Sequence, residues 1–65
     1  MTNELKSIRV LNSITQNDMA KALNITSTGY RLKELGKNQF TLIELKRIKY
    51  FLKLTDQQLI DIFFK

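Results

Sequence analysis

The chain contains no cysteine, no histidine and no proline, and it has only two glycines. Without cysteine it has no disulfide bond or thiolate metal site, and without histidine it lacks the commonest general base and metal ligand. The lack of proline favours helices over tight hairpins. The six acidic residues are dispersed, and no nucleophile–base pair or glycine-rich phosphate loop occurs. We therefore expect a helical protein that is not an enzyme and needs no cofactor, metal or small-molecule ligand.

Long hydrophobic segments are also missing. The longest apolar runs have three residues, as in Ile62-Phe63-Phe64, and residues 1–4 lack the basic start of a signal peptide. The sequence thus predicts no membrane span and a cytoplasmic location. Its 65 residues, 43% of them apolar, predict one domain over residues 1–65 with a small core.

Positive charge is abundant and unevenly distributed. The formal net charge is +5, and residues 31–53 carry seven basic side chains against two acidic ones. A cation excess confined to one segment suits a polyanionic partner, although an ordinary solvated basic face explains it equally well.

One six-residue format occurs four times: an apolar residue, a threonine, three further residues and a second apolar residue. Its threonines are Thr15, Thr26, Thr41 and Thr55. Each is an N-cap candidate, and the flanking apolar residues have the spacing of a hydrophobic staple. Glu44 and Gln58 complete capping boxes, and Asp18 is a shorter equivalent. The format predicts helix starts after residues 15, 26, 41 and 55.

Apolar periodicity completes five helices, over about residues 3–12, 16–23, 27–35, 42–52 and 56–63. Gly36 is the predicted stop of the third helix. The residues expected to face the core are Leu5, Ile8, Met19, Ala20, Leu23, Leu42, Leu45, Ile48, Phe51, Leu52, Leu59, Ile62 and Phe63. The fold class predicted is all-α, a compact five-helix domain.

The third helix has two different faces if Tyr30 packs against Ile25. Tyr30, Lys33 and Glu34 then point inward. The outward residues are Ser27, Thr28, Arg31 and Leu32. A helix rotated by one position would bury Leu32 and Leu35 instead, and periodicity leaves both orientations open.

Gly29 leaves the capping box of the third helix unfilled. This helix end then has free N–H groups that can donate hydrogen bonds to a phosphate, and it can approach DNA closely. Alternatively, Gly29 lets the second and third helices pack tightly. Because a glycine inside a helix costs roughly 1 kcal/mol relative to alanine, we expect one of these uses.

The stretch from Thr15 to Leu35 resembles the helix-turn-helix of the lambda-repressor-like (Cro/CI, or XRE) DNA-binding family. Ala20 is small where two helices would cross, and Asn24 stands where the chain must turn sharply in a left-handed conformation. The likeness to small Cro- and repressor-type regulators of Gram-positive phages and prophages extends over most of the chain, through Tyr30–Gly36, Phe40-Thr41, Glu44, Ile48 and Ile62–Phe64. Ser13 and Asn24 depart from the pattern, where the family often has glycine.

The resemblance implies an operator-binding transcriptional regulator whose third helix enters the major groove of double-stranded DNA. The side chains expected to read bases are Gln16, Ser27, Thr28, Arg31 and Leu32. Those expected to bind phosphates are Thr26, Lys37, Asn38 and Gln39. An Arg and a Glu that pair in the family imply a structural ion pair between Arg9 and Glu34, which ties the first helix to the third.

The resemblance also implies a homodimer formed through the last helix. Ile60 and Phe64 are four residues apart and form a second apolar stripe there, although loose closure of the core is an alternative. With no room for a second domain, a Cro-like repressor of a phage genetic switch is expected. The competing hypothesis is a protein-binding module of the antirepressor type on the same fold, which would grip another regulator through its apolar stripes.

Overall fold

The computed structural model describes residues 3–64, which form five α-helices and no strand. The helices are α1 (Asn3–Leu11), α2 (Gln16–Leu23), α3 (Ser27–Glu34), α4 (Leu42–Leu52) and α5 (Asp56–Phe63). The all-α class is therefore confirmed, and α1 and α3 each end one residue earlier than predicted. Because isolated helices shorter than about 12–15 residues are marginal in water, these helices depend on their caps and on packing.

All four predicted N-caps are present. The hydroxyls of Thr15, Thr26, Thr41 and Thr55 each accept a hydrogen bond from the backbone N–H three residues later, at 3.0 to 3.1 Å. Full capping boxes form at the first, third and fourth of these sites, and the shorter Asp18 completes its box. The apolar residue before each threonine packs against the core. These caps fix where four helices begin.

The helices α1, α2 and α4 are followed by the same kind of turn. Its first residue is left-handed and is not glycine: Ser13, Asn24 or Lys53, with φ between 56° and 58°. An apolar residue follows, and its N–H donates to the carbonyl five residues earlier at 2.9 to 3.0 Å. The N-cap threonine of the next helix comes third. The left-handed turn predicted at Asn24 is confirmed, and Gly36, with φ of 83°, ends α3 as expected.

The core lies where α2 packs against α3 and α4, with α1 and α5 closing it. Its buried apolar residues are Leu5, Met19, Ala20, Leu23, Tyr30, Ile48 and Ile62. The ring of Phe40 lies between those of Tyr30 and Phe63, with centroid distances of 6.2 and 5.5 Å. This cluster fixes the inner side of α3.

Two of the residues expected in the core are exposed instead. Leu42 and Phe51 retain 68% and 43% of their accessible surface. The inner face of α4 is formed by Glu44 and Ile48, which are buried, and by the half-buried Leu45. Leu42 and Phe51 are nine residues apart and lie at the two opposite edges of this face, so both remain at the surface.

None of the five helices is long and apolar enough to cross a membrane.

Candidate nucleic-acid interface

The carboxylate of Glu34 lies at the meeting point of three helices. Arg9 of α1 donates two hydrogen bonds to it, from Nε to Oε2 at 2.9 Å and from Nη2 to Oε1 at 3.1 Å. The hydroxyl of Tyr30 donates to Oε2 at 2.5 Å, and Nε2 of Gln16 donates to Oε1 at 3.3 Å. The ion pair predicted between Arg9 and Glu34 is confirmed. Together, the contacts of Arg9 and Gln16 with Glu34 tie α1 and α2 to the inner side of α3.

This network is buried and charged. Arg9 and Glu34 retain only 8% and 4% of their accessible surface. Burial by itself raises the pKa of Glu34, but the hydrogen bonds from Arg9, Tyr30 and Gln16 outweigh it and hold that pKa below its ordinary value. The hydrogen bond to Glu34 raises the pKa of Arg9, and burial raises the pKa of Tyr30. Glu34 is therefore ionised at neutral pH, beside a protonated guanidinium and a neutral phenol.

A second ion pair holds the same, carboxyl-terminal end of α3. Nζ of Lys33 lies 2.6 Å from both carboxylate oxygens of Glu44, which also accepts the N–H of Thr41 at 2.8 Å. Burial raises the pKa of Glu44, but the bonds from Lys33 and Thr41 outweigh it and lower that pKa. The inward position of Lys33 was predicted. Its partner was missed, because the sequence marks Glu44 only as a capping residue.

The opposite side of α3 faces solvent. Ser27, Thr28 and Arg31 are exposed, as predicted. The guanidinium of Arg31 has no hydrogen-bond or ion-pair partner within residues 3–64. The hydroxyl of Ser27 donates to Oδ1 of Asn17 on α2 at 2.6 Å, a contact that sequence reasoning did not anticipate. Polar side chains from the amino ends of α2 and α3 thus adjoin each other on one surface.

The rotated orientation of α3 is wrong. Tyr30 and Glu34 are buried, and Leu35 retains 56% of its surface. Leu32, however, is half-buried, so its predicted outward orientation holds only in part. Its carbonyl accepts the N–H groups of Lys37 and Asn38 at 2.9 and 3.3 Å, because the chain folds back at the end of α3. Leu32 therefore offers less surface to a partner than a fully exposed leucine.

The residues predicted to bind phosphates are exposed. Lys37, Asn38 and Gln39 form the polar loop after α3, and Thr26 caps its amino end. A Cβ added at Gly29 would lie 3.0 Å from Oγ1 of Thr26 and within 4 Å of no atom of α2. The alternative, that Gly29 lets α2 and α3 pack tightly, is therefore wrong. Gly29 leaves the amino end of α3 without a side chain at the third position.

The apolar stripe on α5 lies at the surface. Ile60 and Phe64 retain 45% and 65% of their accessible area. Loose closure of the core therefore does not account for these two side chains.

Comparison with models of protein families, with curated proteins and with solved structures finds no match to this chain. One face of a short helix presents hydroxyls and an unpaired guanidinium, while two ion pairs hold its other face. Within residues 3–64, no group of three acidic side chains lies close enough together to hold a metal ion.

Replacing Arg9 by alanine should destabilise the fold and not only the surface it supports. The change leaves Glu34 buried without its cation, and breaking a buried pair in this way costs about 3 kcal/mol. For a domain of this size that lowers the midpoint of thermal unfolding by more than about 10 °C. Circular dichroism during heating measures the shift. The exposed Lys6→Ala serves as the matched control, and an unchanged midpoint in Arg9→Ala would contradict the role assigned to the pair.

Acid should weaken the fold through the two buried carboxylates. The pKa values of Glu34 and Glu44 are lowered in the folded state, so their stabilisation is present at neutral pH and is lost as pH falls below about 4.5 through the lowered values. Urea unfolding between about pH 3 and pH 7 measures this loss. The range brackets the pKa of an unperturbed Glu, which is roughly 4.3. Glu34→Gln should be less stable at pH 7 and decline less steeply towards acid. The exposed Glu4→Gln is the control, and equal slopes for Glu34→Gln and the wild type would refute the assignment.

Proposed function

We propose that this chain is a sequence-specific DNA-binding transcriptional regulator that inserts α3 into the major groove, in the manner of a Cro-like repressor. One observation carries the proposal. α3 exposes Ser27, Thr28 and the unpaired Arg31 on one side, while buried residues hold its other side in place. With the turn that joins them, α2 and α3 would act as a helix-turn-helix.

The exposed groups suit the chemistry of base edges. An arginine can donate two hydrogen bonds to guanine, and serine or threonine can donate or accept with several bases. The part of Leu32 that is not buried would contact a thymine methyl. Gln16, at the first position of α2, lines a depression with Asn17 and Ser27, and its Nε2 atom donates to Glu34.

The surroundings of this surface suit phosphates. The amino ends of two helices carry partial positive charge, and Gly29 leaves that of α3 accessible. Lys37, Asn38 and Gln39 would contact the backbone at the other end of α3 and set the register without reading sequence. The net charge of +5 would add long-range attraction to the duplex.

The proposal includes a homodimer through α5. Ile60 and Phe64 form an exposed apolar stripe that a second copy would cover about a two-fold axis. Two copies would place their α3 helices in successive major grooves, about 34 Å apart. Occupation of a promoter by this dimer would repress transcription.

Salt dependence and one substitution test the DNA-binding function. The affinity for a plain duplex should fall by about 0.9 log units per decade of salt for each phosphate contact. Selection from a pool of random duplexes should yield a preferred site. Arg31→Ala should then lose about 1–3 kcal/mol of discrimination at one base pair of that site, because a bidentate contact is removed.

A matched substitution separates base reading from phosphate binding. Lys37→Ala should weaken binding to all sequences alike. It should also reduce the slope of log affinity against log salt by the amount expected for one phosphate contact. Lys6→Ala, on the outer face of α1, should change neither quantity. A uniform loss on all sequences in Arg31→Ala would make Arg31 a phosphate contact, and salt-independent or undetectable duplex binding would overturn the function.

Sedimentation with and without a selected duplex tests the dimer. Two copies per site are expected for the wild type, and Ile60→Asp should bind as a single copy with lower affinity, because a charge cannot be buried in the α5 contact without cost. Leu11→Asp is the control, since Leu11 is 84% exposed on α1. Binding of one copy per site by the wild type would contradict the dimer.

A further inference from the structure

The outer face of α4 carries large apolar side chains that remain exposed. Ile43, Tyr50 and Phe51 retain 64%, 89% and 43% of their accessible surface. Three lysines accompany them. We call this surface the α4 patch and define it by Ile43, Lys46, Lys49, Tyr50, Phe51 and Lys53. The proposed contact with DNA does not use it.

The α4 patch consists of two adjoining depressions. The first is lined largely by apolar side chains, those of Ile43, Tyr50 and Phe51, and reaches Ala22 on α2. The second is lined by all three lysines of the patch, together with Tyr50 and Leu54. Lys46 and Tyr50 line both. The surface is therefore an apolar groove that continues into a cationic one.

No acidic side chain lines either depression. Lys46 and Lys53 form no ion pair within residues 3–64, and Lys49 pairs only with the exposed Asp56, at 2.5 Å. Within residues 3–64 only one of the three lysines has an anionic partner, so the α4 patch offers positive charge to a partner of opposite charge.

We infer that the α4 patch is a docking surface for an acidic amphipathic helical segment of another protein. An amphipathic helix places apolar residues spaced i, i+3, i+4 and i+7 into a groove, and acidic residues beside that stripe would meet the three lysines. Exposed tyrosines make strong anchors in such contacts, because they bury a large area at low entropic cost. A second copy of this chain fits poorly, since it would bring the same lysines face to face.

The α4 patch is separate from the surface proposed for DNA. Ala22 and Gln16 lie six residues apart on α2, a rise of about 9 Å along the helix. The first borders the patch and the second belongs to the surface at the amino ends of α2 and α3. The two surfaces share no residue, so the inference does not depend on DNA binding.

Fluorescence anisotropy with a synthetic peptide tests the inference. The probe is a helical peptide of about five turns, with leucine and phenylalanine on one face and aspartate and glutamate elsewhere. Its control is an isomer of the same composition with the apolar residues spread around the helix. The wild type should bind the probe at least about tenfold more tightly than the isomer. Tyr50→Ala and Lys46→Glu should each weaken that binding about tenfold or more.

Three substitutions outside the α4 patch serve as matched controls. Leu11→Ala removes an equally exposed apolar side chain, Lys6→Glu makes the same charge change on α1, and Arg31→Ala disables the proposed reading face. Each should alter peptide affinity less than about twofold. Duplex binding by Tyr50→Ala should match that of the wild type, which keeps this result distinct from the test of DNA binding.

Four outcomes would overturn the inference. Equal affinity for the two peptides would mean that charge alone attracts them. A loss in Lys6→Glu as large as that in Lys46→Glu would mean that no particular surface binds. Dissociation of a wild-type dimer by Tyr50→Ala would show a second copy on the patch. Single-stranded DNA bound through Tyr50, with no peptide binding, would make the partner a nucleic acid.

Discussion

A single buried carboxylate determines which side of α3 faces solvent. Glu34 receives hydrogen bonds from α1, α2 and its own helix, and a bidentate guanidinium permits little variation in the angle at which its partner approaches. A buried ion pair adds little net stability, since the loss of hydration offsets the attraction. Its effect here is positional. If α3 turned about its axis, Glu34 would lose its partners, and the outward set of Ser27, Thr28 and Arg31 would change.

The parts of this arrangement that depend on local chemistry could be predicted from the sequence. The threonine format located four helix starts, since an N-cap involves only the residues that follow it. The pairing of Arg9 with Glu34 was anticipated from a family resemblance and not from spacing, since 25 residues separate them. The inner face of α4 was misjudged because an acidic residue, Glu44, is buried by a lysine on another helix. Periodicity of apolar residues cannot show such a contact.

The chain is small, and much of its apolar surface stays outside the core. Among residues 4–64, seven apolar residues are buried, while nine large ones are exposed. Exposed apolar groups that gather in patches usually mark contact sites. The largest group lies on α4, and smaller ones lie on α1 and at the end of α5. A short helical domain thus presents a polar surface on α3 and separate apolar surfaces on other helices.

The three left-handed turn residues bear on how this chain can evolve. Ser13, Asn24 and Lys53 each hold a conformation that costs a residue with a side chain roughly 1 kcal/mol or more and that glycine adopts freely. Asn24 takes no part in the surfaces proposed for partners, so a substitution there would adjust thermal tolerance while leaving recognition intact. Lys53 belongs to the α4 patch, and relief of strain at that turn would remove a cation from it. Ser13 lines the depression beside Gln16 and Ser27. Selection for stability and selection for binding would therefore act independently at Asn24 and in opposite directions at Lys53.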